Sequence, residues 1–152
     1  MDVEVLQGLQ PYGPMLARQK ELLRQRIDDT IVDRLLLLEH APVITIPRDA
    51  AARNLLVSEF VAADHGVEVC RTNRGGNITY HGPGQVVAYP IVKLLEDERD
   101  VGRYVRNLEQ AMIDCCAFFG LAAQRVDGLT GIWVGEQKVG AIGVRFSRWT
   151  AS

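Results

Sequence analysis

Hydrophobic residues recur along this chain at two spacings, one of three to four residues and one of short, nearly unbroken runs. From Gly13-Pro14, the residues Leu16, Leu22, Leu23 and Ile27 mark one face of a helix that should end near Asp28-Asp29, and proline is tolerated in a first turn. Leu35 to Leu38 is an apolar run stopped too soon for a helix, and Val43-Ile44-Thr45-Ile46 is rich in β-branched residues. With Ala41-Pro42 as a turn between them, these two strands are expected to form a hairpin. Ser58 suits the N-cap of a short helix that Gly66 closes, and Val67 to Thr72 reads as a strand. A glycine-dense stretch follows from Arg74 to Gln85, then a strand over Val86 to Val92. Val101, Tyr104, Val105, Leu108, Met112, Ile113 and Cys116 give the period of a helix over Asp100 to Phe119, with Gly120 as its stop. Ile132-Trp133-Val134, a Gly135-Glu136-Gln137 turn and Lys138 to Trp149 predict a last hairpin.

Strands outnumber helices in this pattern and hairpins are frequent. The fold class expected is α+β, a mixed, largely antiparallel sheet packed with helices rather than a repeated βαβ winding. No repeat, low-complexity segment or Ser/Gly/Pro linker divides the chain, so residues 1–152 are expected to form a single domain.

Composition narrows the function classes. The 152 residues are 47% hydrophobic and carry a formal net charge of −2, which argues against a generally basic nucleic-acid binder. No apolar run approaches the roughly 20 residues that span a bilayer, and the Met1-Asp2-Val3-Glu4 start is acidic where a secretion signal is basic. A cytoplasmic location is expected, with neither membrane nor nucleic acid as partner. Cys70, Cys115 and Cys116 are odd in number and lack C-x-x-C spacing, so neither a disulfide framework nor a metal knuckle is expected. Cys115 and Cys116 fall within the long helix as ordinary thiols, whereas Arg71 and Arg74 could steady a Cys70 thiolate.

The stretch Arg74-Gly75-Gly76-Asn77-Ile78-Thr79-Tyr80-His81-Gly82-Pro83-Gly84-Gln85 concentrates the candidate chemistry. Its glycines let a backbone pass close to a ligand, and its polar side chains offer varied hydrogen bonds and one titratable ring. The plain alternative is a glycine-rich connection with a turn histidine. Neither a G-x-x-x-x-G-K-[ST] loop nor a G-x-G-x-x-G helix opening is present, so a nucleotide-phosphate cradle of either kind is disfavoured. Lys138 stands out because the chain has fourteen arginines and only three lysines. A lysine's proton affinity responds to burial, and the small Ala141-Ile142-Gly143 ends beyond it allow a substrate close; the plain alternative is a solvated turn lysine.

Taken together, Arg74-Gly75-Gly76-x-x-Thr79-Tyr80-His81-x-x-Gly84-Gln85-x-x-x-Tyr89-Pro90 resembles the signature of the lipoyl(octanoyl) transferases of lipoate biosynthesis. Glu39-His40-x-Pro42-Val43-x-Thr45 resembles the family's earlier strand turn. Gly131-x-Trp133-Val134 with Lys138-x-x-Ala141-Ile142-Gly143-Val144-Arg145 resembles its later hairpin, and Arg148-Trp149 also fits. The resemblance implies a biotin/lipoate protein ligase-like fold, of the class II aminoacyl-tRNA synthetase/biotin synthetase-like kind. It implies transfer of an octanoyl or lipoyl group from acyl carrier protein, through a cysteine thioester, to a lysine of a lipoyl domain. The acceptors implied are the lipoyl domains of 2-oxoacid dehydrogenase complexes and the glycine cleavage H protein. No metal, nucleotide or other cofactor is implied.

By the same resemblance Arg74, Gly75, Gly76, Asn77, Ile78, Thr79, Tyr80 and His81 line the acyl and carrier-arm site, and Ala141, Ile142 and Gly143 close it with backbone groups. Lys138 matches the family's catalytic lysine, which lowers the pKa of the nucleophilic cysteine. Backbone N–H groups around Gly75-Gly76 or Gly143 are the expected oxyanion donors. Two departures stand out. Pro47 replaces the glycine usual after the early strand, which stiffens the chain there. The family's cysteine sits in a Pro-Cys-Gly-type segment well beyond the lysine, and only fourteen residues follow Lys138 here. The expectation is therefore a C-terminally incomplete octanoyltransferase domain, inactive alone, whose nucleophile lies beyond the chain end. Two alternatives stay open: an ATP-dependent lipoate-protein ligase, and a non-catalytic acyl- or carrier-binding module on the same fold.

Overall fold

The α+β architecture is built from three sheets and three α-helices in a computed structural model, which describes residues 1–47 and 55–152. The chain divides into two compact units, Met1–Leu94 with Val144–Ser152, and Leu95–Gly143.

The first unit opens with β1 (Asp2–Gln10), a strand that the pattern of apolar runs does not announce. Its inward positions include Glu4 and Leu6, while Val3 and Val5 are exposed, so burial does not follow hydrophobicity. Glu4 turns inward because it meets Arg18 of α1 (Tyr12–Ile27) at 2.6 Å. The helix ends at Asp28 as its sequence predicts, but its most buried residues are Tyr12, Met15 and Gln19 rather than the leucines alone. Met15 packs with Leu36 and Leu38 of β2 (Arg34–His40) and Val87 of β6 (Val87–Lys93), and Leu6, Leu22 and Tyr89 close the cluster. Each such fully buried aliphatic side chain stabilises by roughly 1.5–3 kcal/mol relative to exposure.

The expected hairpin between Leu35–Leu38 and Val43–Ile46 does not form. β2 is flanked by β1, parallel, and by β6, antiparallel, so both its edges are occupied. β3 (Val43–Pro47) instead enters a second sheet, parallel to β4 (Glu68–Thr72) and antiparallel to β5 (Thr79–His81). Each parallel pair is bridged by a helix: α1 joins β1 to β2, and α2 (Glu59–Asp64) joins β3 to β4. Ser58 caps α2 by accepting from the Val61 N–H at 3.2 Å, as predicted. Antiparallel pairs still outnumber parallel ones.

The last expected strand, Lys138 to Trp149, is broken. β8 (Gln137–Gly140) pairs with β7 (Ile132–Val134) in the second unit, and residues 141–145 are irregular. β9 (Phe146–Ser147) and β10 (Thr150–Ala151) then return to the first unit, where β10 pairs with β6. The five-stranded order is β1-β2-β6-β10-β9. The β9–β10 turn places Arg148 and Trp149 at φ 47° and 60°, the left-handed geometry of a tight hairpin turn built here without glycine.

In the second unit, Asp100 caps α3 (Val101–Phe118) by accepting from the Arg103 N–H at 2.9 Å. Glu96 to Glu98 form a short 3₁₀ turn, in which Glu98 accepts from the Leu95 N–H at 3.1 Å. Among the described residues no helix is long and apolar enough to cross a membrane.

Candidate functional site

The glycine-dense stretch is not a plain connection. Thr79–His81 pairs with β3 as β5, with His81 opposite Val43 and Thr79 opposite Thr45. Gly82-Pro83-Gly84-Gln85 then makes a turn closed by Gln85 N–H to Gly82 O at 3.1 Å. Gly84 sits at φ +82°, the third position of a type II turn that disfavours side-chain-bearing residues. Glu39 of β2 fixes this turn by accepting from the Gly84 N–H at 2.7 Å. Strand, turn and carboxylate together set where His81 stands.

Arg74 spends its donors inside the protein. Its Nε and one terminal nitrogen donate to Thr45 Oγ1 at 3.2 and 2.7 Å, and the latter nitrogen also reaches Thr45 O at 3.1 Å. The other terminal nitrogen donates to Gly75 O at 2.9 Å. Thr45 is fully buried, and its hydroxyl donates to Thr79 O at 3.2 Å. One threonine thus ties β3 to β5 and holds the arginine that opens the glycine pair. Burial lowers the proton affinity of the Arg74 guanidinium, although Tyr12 and Tyr89 act against that shift. Asn77 and Thr79 likewise make local bonds, Asn77 Oδ1 accepting from Ile78 N–H and the Thr79 hydroxyl donating to Asn77 O. Tyr80 is exposed, and Ile78 is half-buried.

Four rings stand beside this loop. His40 is fully buried, with its centroid 5.3 Å from Tyr12 and 5.8 Å from both His81 and Tyr89. The backbone oxygen of Gln10 can only accept, so His40 Nδ1–H donates to it at 2.8 Å. Burial pulls the His40 pKa below the ordinary imidazole value, with the Gln10 bond opposing. Its neutral Nε2 then accepts the Tyr89 hydroxyl proton at 2.8 Å. Desolvation pushes the Tyr12 hydroxyl up to about 12 and raises Tyr89 as well, so both phenols keep their protons.

His81 is set in the same way. Its Nδ1 lies 2.5 Å from Gln85 Oε1, while Gln85 Nε2 points to Tyr80 O at 3.4 Å, which assigns the proton to Nδ1. Burial lowers the His81 pKa against the Gln85 bond, and His40 and Arg74 add to the lowering. The neutral ring therefore leaves Nε2 unprotonated, as a hydrogen-bond acceptor.

Lys138, in the second unit, is exposed on β8 opposite Trp133 of β7, with its Nζ 5.0 Å from the indole centroid. Ala141, Ile142 and Gly143 follow in the irregular stretch of that unit. Among the described residues no group of three or more His, Cys, Asp or Glu side chains is placed to hold a metal ion.

Cys70 does not have the surroundings its neighbours in sequence suggest. Arg71 pairs with Glu59 at 2.7 Å and Arg74 with Thr45, and burial followed by Glu68 raises the Cys70 pKa. Both effects favour the protonated thiol. Sequence reasoning counted Gln85 only among the loop's polar groups, assigned no role to His40, Thr45 and Tyr89, although the motifs contain them, and missed Tyr12 and Glu109. The available signals were a buried polar residue within a β-branched run for Thr45, and an acid within an apolar helical stripe for Glu109.

The fold and this pattern of residues define a class. The chain belongs to the lipoyl protein ligase A/B catalytic domain family, whose pattern matches residues 11–152. Within it, the chain is 50% identical over 141 residues to an octanoyltransferase of Solibacter usitatus, covering 93% of this chain and 64% of that protein. It is 49% identical over 138 residues to an octanoyltransferase of Chloroflexus aggregans, covering 90% and 62% respectively. The chain thus spans less than two thirds of either relative. Among solved structures, a lipoate-protein ligase A bound with ATP shares the fold at TM-score 0.73 and 16% identity, over 99% of this chain and 64% of that one.

Proposed function

We propose that this chain contributes donor-site residues and the acid–base lysine to an octanoyltransferase. The enzyme moves an octanoyl or lipoyl group from acyl carrier protein to a lysine of a lipoyl domain, in 2-oxoacid dehydrogenase complexes or glycine cleavage H protein. This is the first step of protein lipoylation. One observation carries the reading: identity to named octanoyltransferases reaches one half across a span that includes both the Arg74–Gln85 block and Lys138.

The chemistry is two acyl transfers. A cysteine thiolate attacks the carrier's thioester carbonyl, a C–S bond forms to the enzyme, and the carrier's C–S bond breaks. The acceptor amine then attacks the enzyme thioester, a C–N bond forms, and the cysteine sulfur departs. Lys138 as an ammonium favours the attacking thiolate and gives its proton to the departing carrier sulfur. As a free amine it next takes the proton that the acceptor nitrogen must lose. In this reading Arg74 acts by bracing the Gly75-Gly76 backbone against Thr45 rather than by gripping substrate. His81 is read as a donor-site residue of the first unit, and the backbone of Ala141-Ile142-Gly143 as one of the second. Backbone N–H groups around Gly75-Gly76 or Gly143 steady the tetrahedral oxyanion.

In this reading the nucleophile is none of the three cysteines here, because none of them stands after Lys138, where the family's pattern places its Pro-Cys-Gly-type segment. The chain alone is expected to form no octanoyl thioester. A graft of residues 11–152 onto the remainder of the Solibacter usitatus octanoyltransferase tests the reading. We expect octanoyl transfer to a lipoyl domain without ATP, and a loss of about 100-fold or more on Lys138→Ala, the range of general acid–base catalysis. An active graft indifferent to Lys138→Ala removes the lysine from the mechanism, and a requirement for ATP converts the enzyme into a ligase.

A further inference from the structure

Glu109 is fully buried on α3, a carboxylate within the helix stripe that otherwise carries Val105, Leu108, Met112 and Cys116. Its Oε2 accepts from Arg106 at 2.8 Å and from Arg125 Nε at 3.0 Å. Those two cations balance its charge. Its Oε1 does something neither arginine requires: it accepts from the backbone N–H of Gly131 at 2.9 Å in a buried contact. Burial acts to raise the Glu109 pKa, but the Gly131 N–H, Arg106 and Arg125 together hold it below the ordinary carboxylate range.

Gly131 sits at φ +123°, a conformation that side-chain-bearing residues rarely adopt, just before β7. A Cβ there would stand 2.4 Å from Gly140 O, 2.7 Å from Lys138 Cε and 3.3 Å from Lys138 Nζ. The end of the Lys138 side chain therefore lies directly on the Gly131 backbone, with the Trp133 ring beside it at 5.0 Å. An exposed lysine has many rotamers, and this slot selects among them.

We infer that Glu109 is a positioning residue for Lys138, acting through the Gly131 backbone that forms one wall of the lysine's slot. The carboxylate anchors an N–H whose residue has no strand pairing of its own. A leucine at this place would fill the apolar stripe without desolvating a charge, and it would leave that N–H buried without a partner. The catalytic part of the inference rests on the reading of Lys138 given above; the geometric part does not.

The chain's three lysines make the test direct. Reductive ¹³C-methylation of the 152-residue chain labels Lys20, Lys93, Lys138 and the Met1 α-amine, and the Trp133 ring beside Lys138 is expected to shift its signal by ring current. Glu109→Ala is expected to move the Lys138 signal toward that of a free lysine, leaving Lys93, paired with Asp29, in place as a control. Glu109→Gln keeps an acceptor for Gly131 N–H and is expected to restore most of the signal position. Gly131→Ala crowds the slot without touching any charge, and it should move the Lys138 signal even where Glu109→Ala unfolds the second unit. A Lys138 signal unmoved in folded Glu109→Ala or Gly131→Ala overturns the inference. In the graft, Glu109→Ala is expected to lower kcat at least 10-fold with KM for the acyl carrier unchanged, and Glu109→Gln to recover most of it. Shifted lysine signals in a graft without transferase activity defeat the functional reading alone, whereas an active graft with unmoved signals defeats the positioning role alone.

Discussion

At the scale of single residues, the polar side chains of the first unit matter more for what they fix than for what they expose. His40 and His81 are each neutral with Nδ1 donating, so one set of facts leads to a pH prediction. A histidine whose folded pKa is lowered contributes stability that is full above its unfolded value of about 6.5. That contribution is lost as the pH falls through the folded value, because the unfolded chain binds the proton first. The depressed carboxyl groups of Glu109 and Asp29 lose theirs only in the more acid range. Thermal melts should therefore show Tm falling by a few degrees between pH 7 and pH 5. His40→Asn is expected to lower Tm throughout and to flatten that step. An equally steep step in His40→Asn would place the acid sensitivity elsewhere.

Much of this was within reach of the sequence. The crowding of Arg74, His81 and Gln85 around glycines marked a loop dense in hydrogen-bonding groups, and in the structure these groups bond within it. What the sequence concealed was direction. The Arg74 guanidinium is directed onto Thr45, which stands twenty-nine residues earlier and offers a buried hydroxyl and carbonyl. No local pattern reports a partner at that separation. Cys70 shows the converse, since Arg71 is its neighbour in sequence but pairs with Glu59.

Among the elements, the helices agreed with their periodicity to within a residue or two, since caps and stop signals are local. Ser58, Asp100, Gly66 and Gly120 are all where the pattern required them. The strands behaved differently, because pairing is decided by which edge is free rather than by which segment comes next. The β9–β10 turn carries a cost of its own. Arg148 at φ 47° occupies the left-handed region that asparagine tolerates better. Arg148→Asn is expected to stabilise the protein by about 0.5–1 kcal/mol, raising Tm by roughly 2–3 °C for a domain of this size. Calorimetry checks it, and a lower Tm would mean that the arginine side chain itself holds the turn.

At the scale of the whole molecule, the two units differ in how much core each possesses. Among the described residues, Tyr104, Ile132 and Trp133 are the buried hydrophobic side chains of the second unit, whereas eleven belong to the first. Stability therefore should not be uniform along the chain. Hydrogen exchange is expected to be faster for amides in the middle of α3 than for those of β2 and β6 by at least about 10-fold, the factor that 1.4 kcal/mol of opening free energy produces. Equal protection in both units would show that they open as one cooperative body.

The sequence by itself determined the α+β class, the helix boundaries, the glycine loop and the family motifs, all of which depend on residues near one another in the chain. Only the tertiary structure decided that β2 and β3 part into different sheets, that Thr45 holds Arg74, and that His40 and His81 share a proton arrangement. It also decided that a buried glutamate on α3 stands behind the backbone supporting Lys138. The reason is the same in each case. A buried polar group must find a partner, and the fold, not the spacing along the chain, determines which one is within reach.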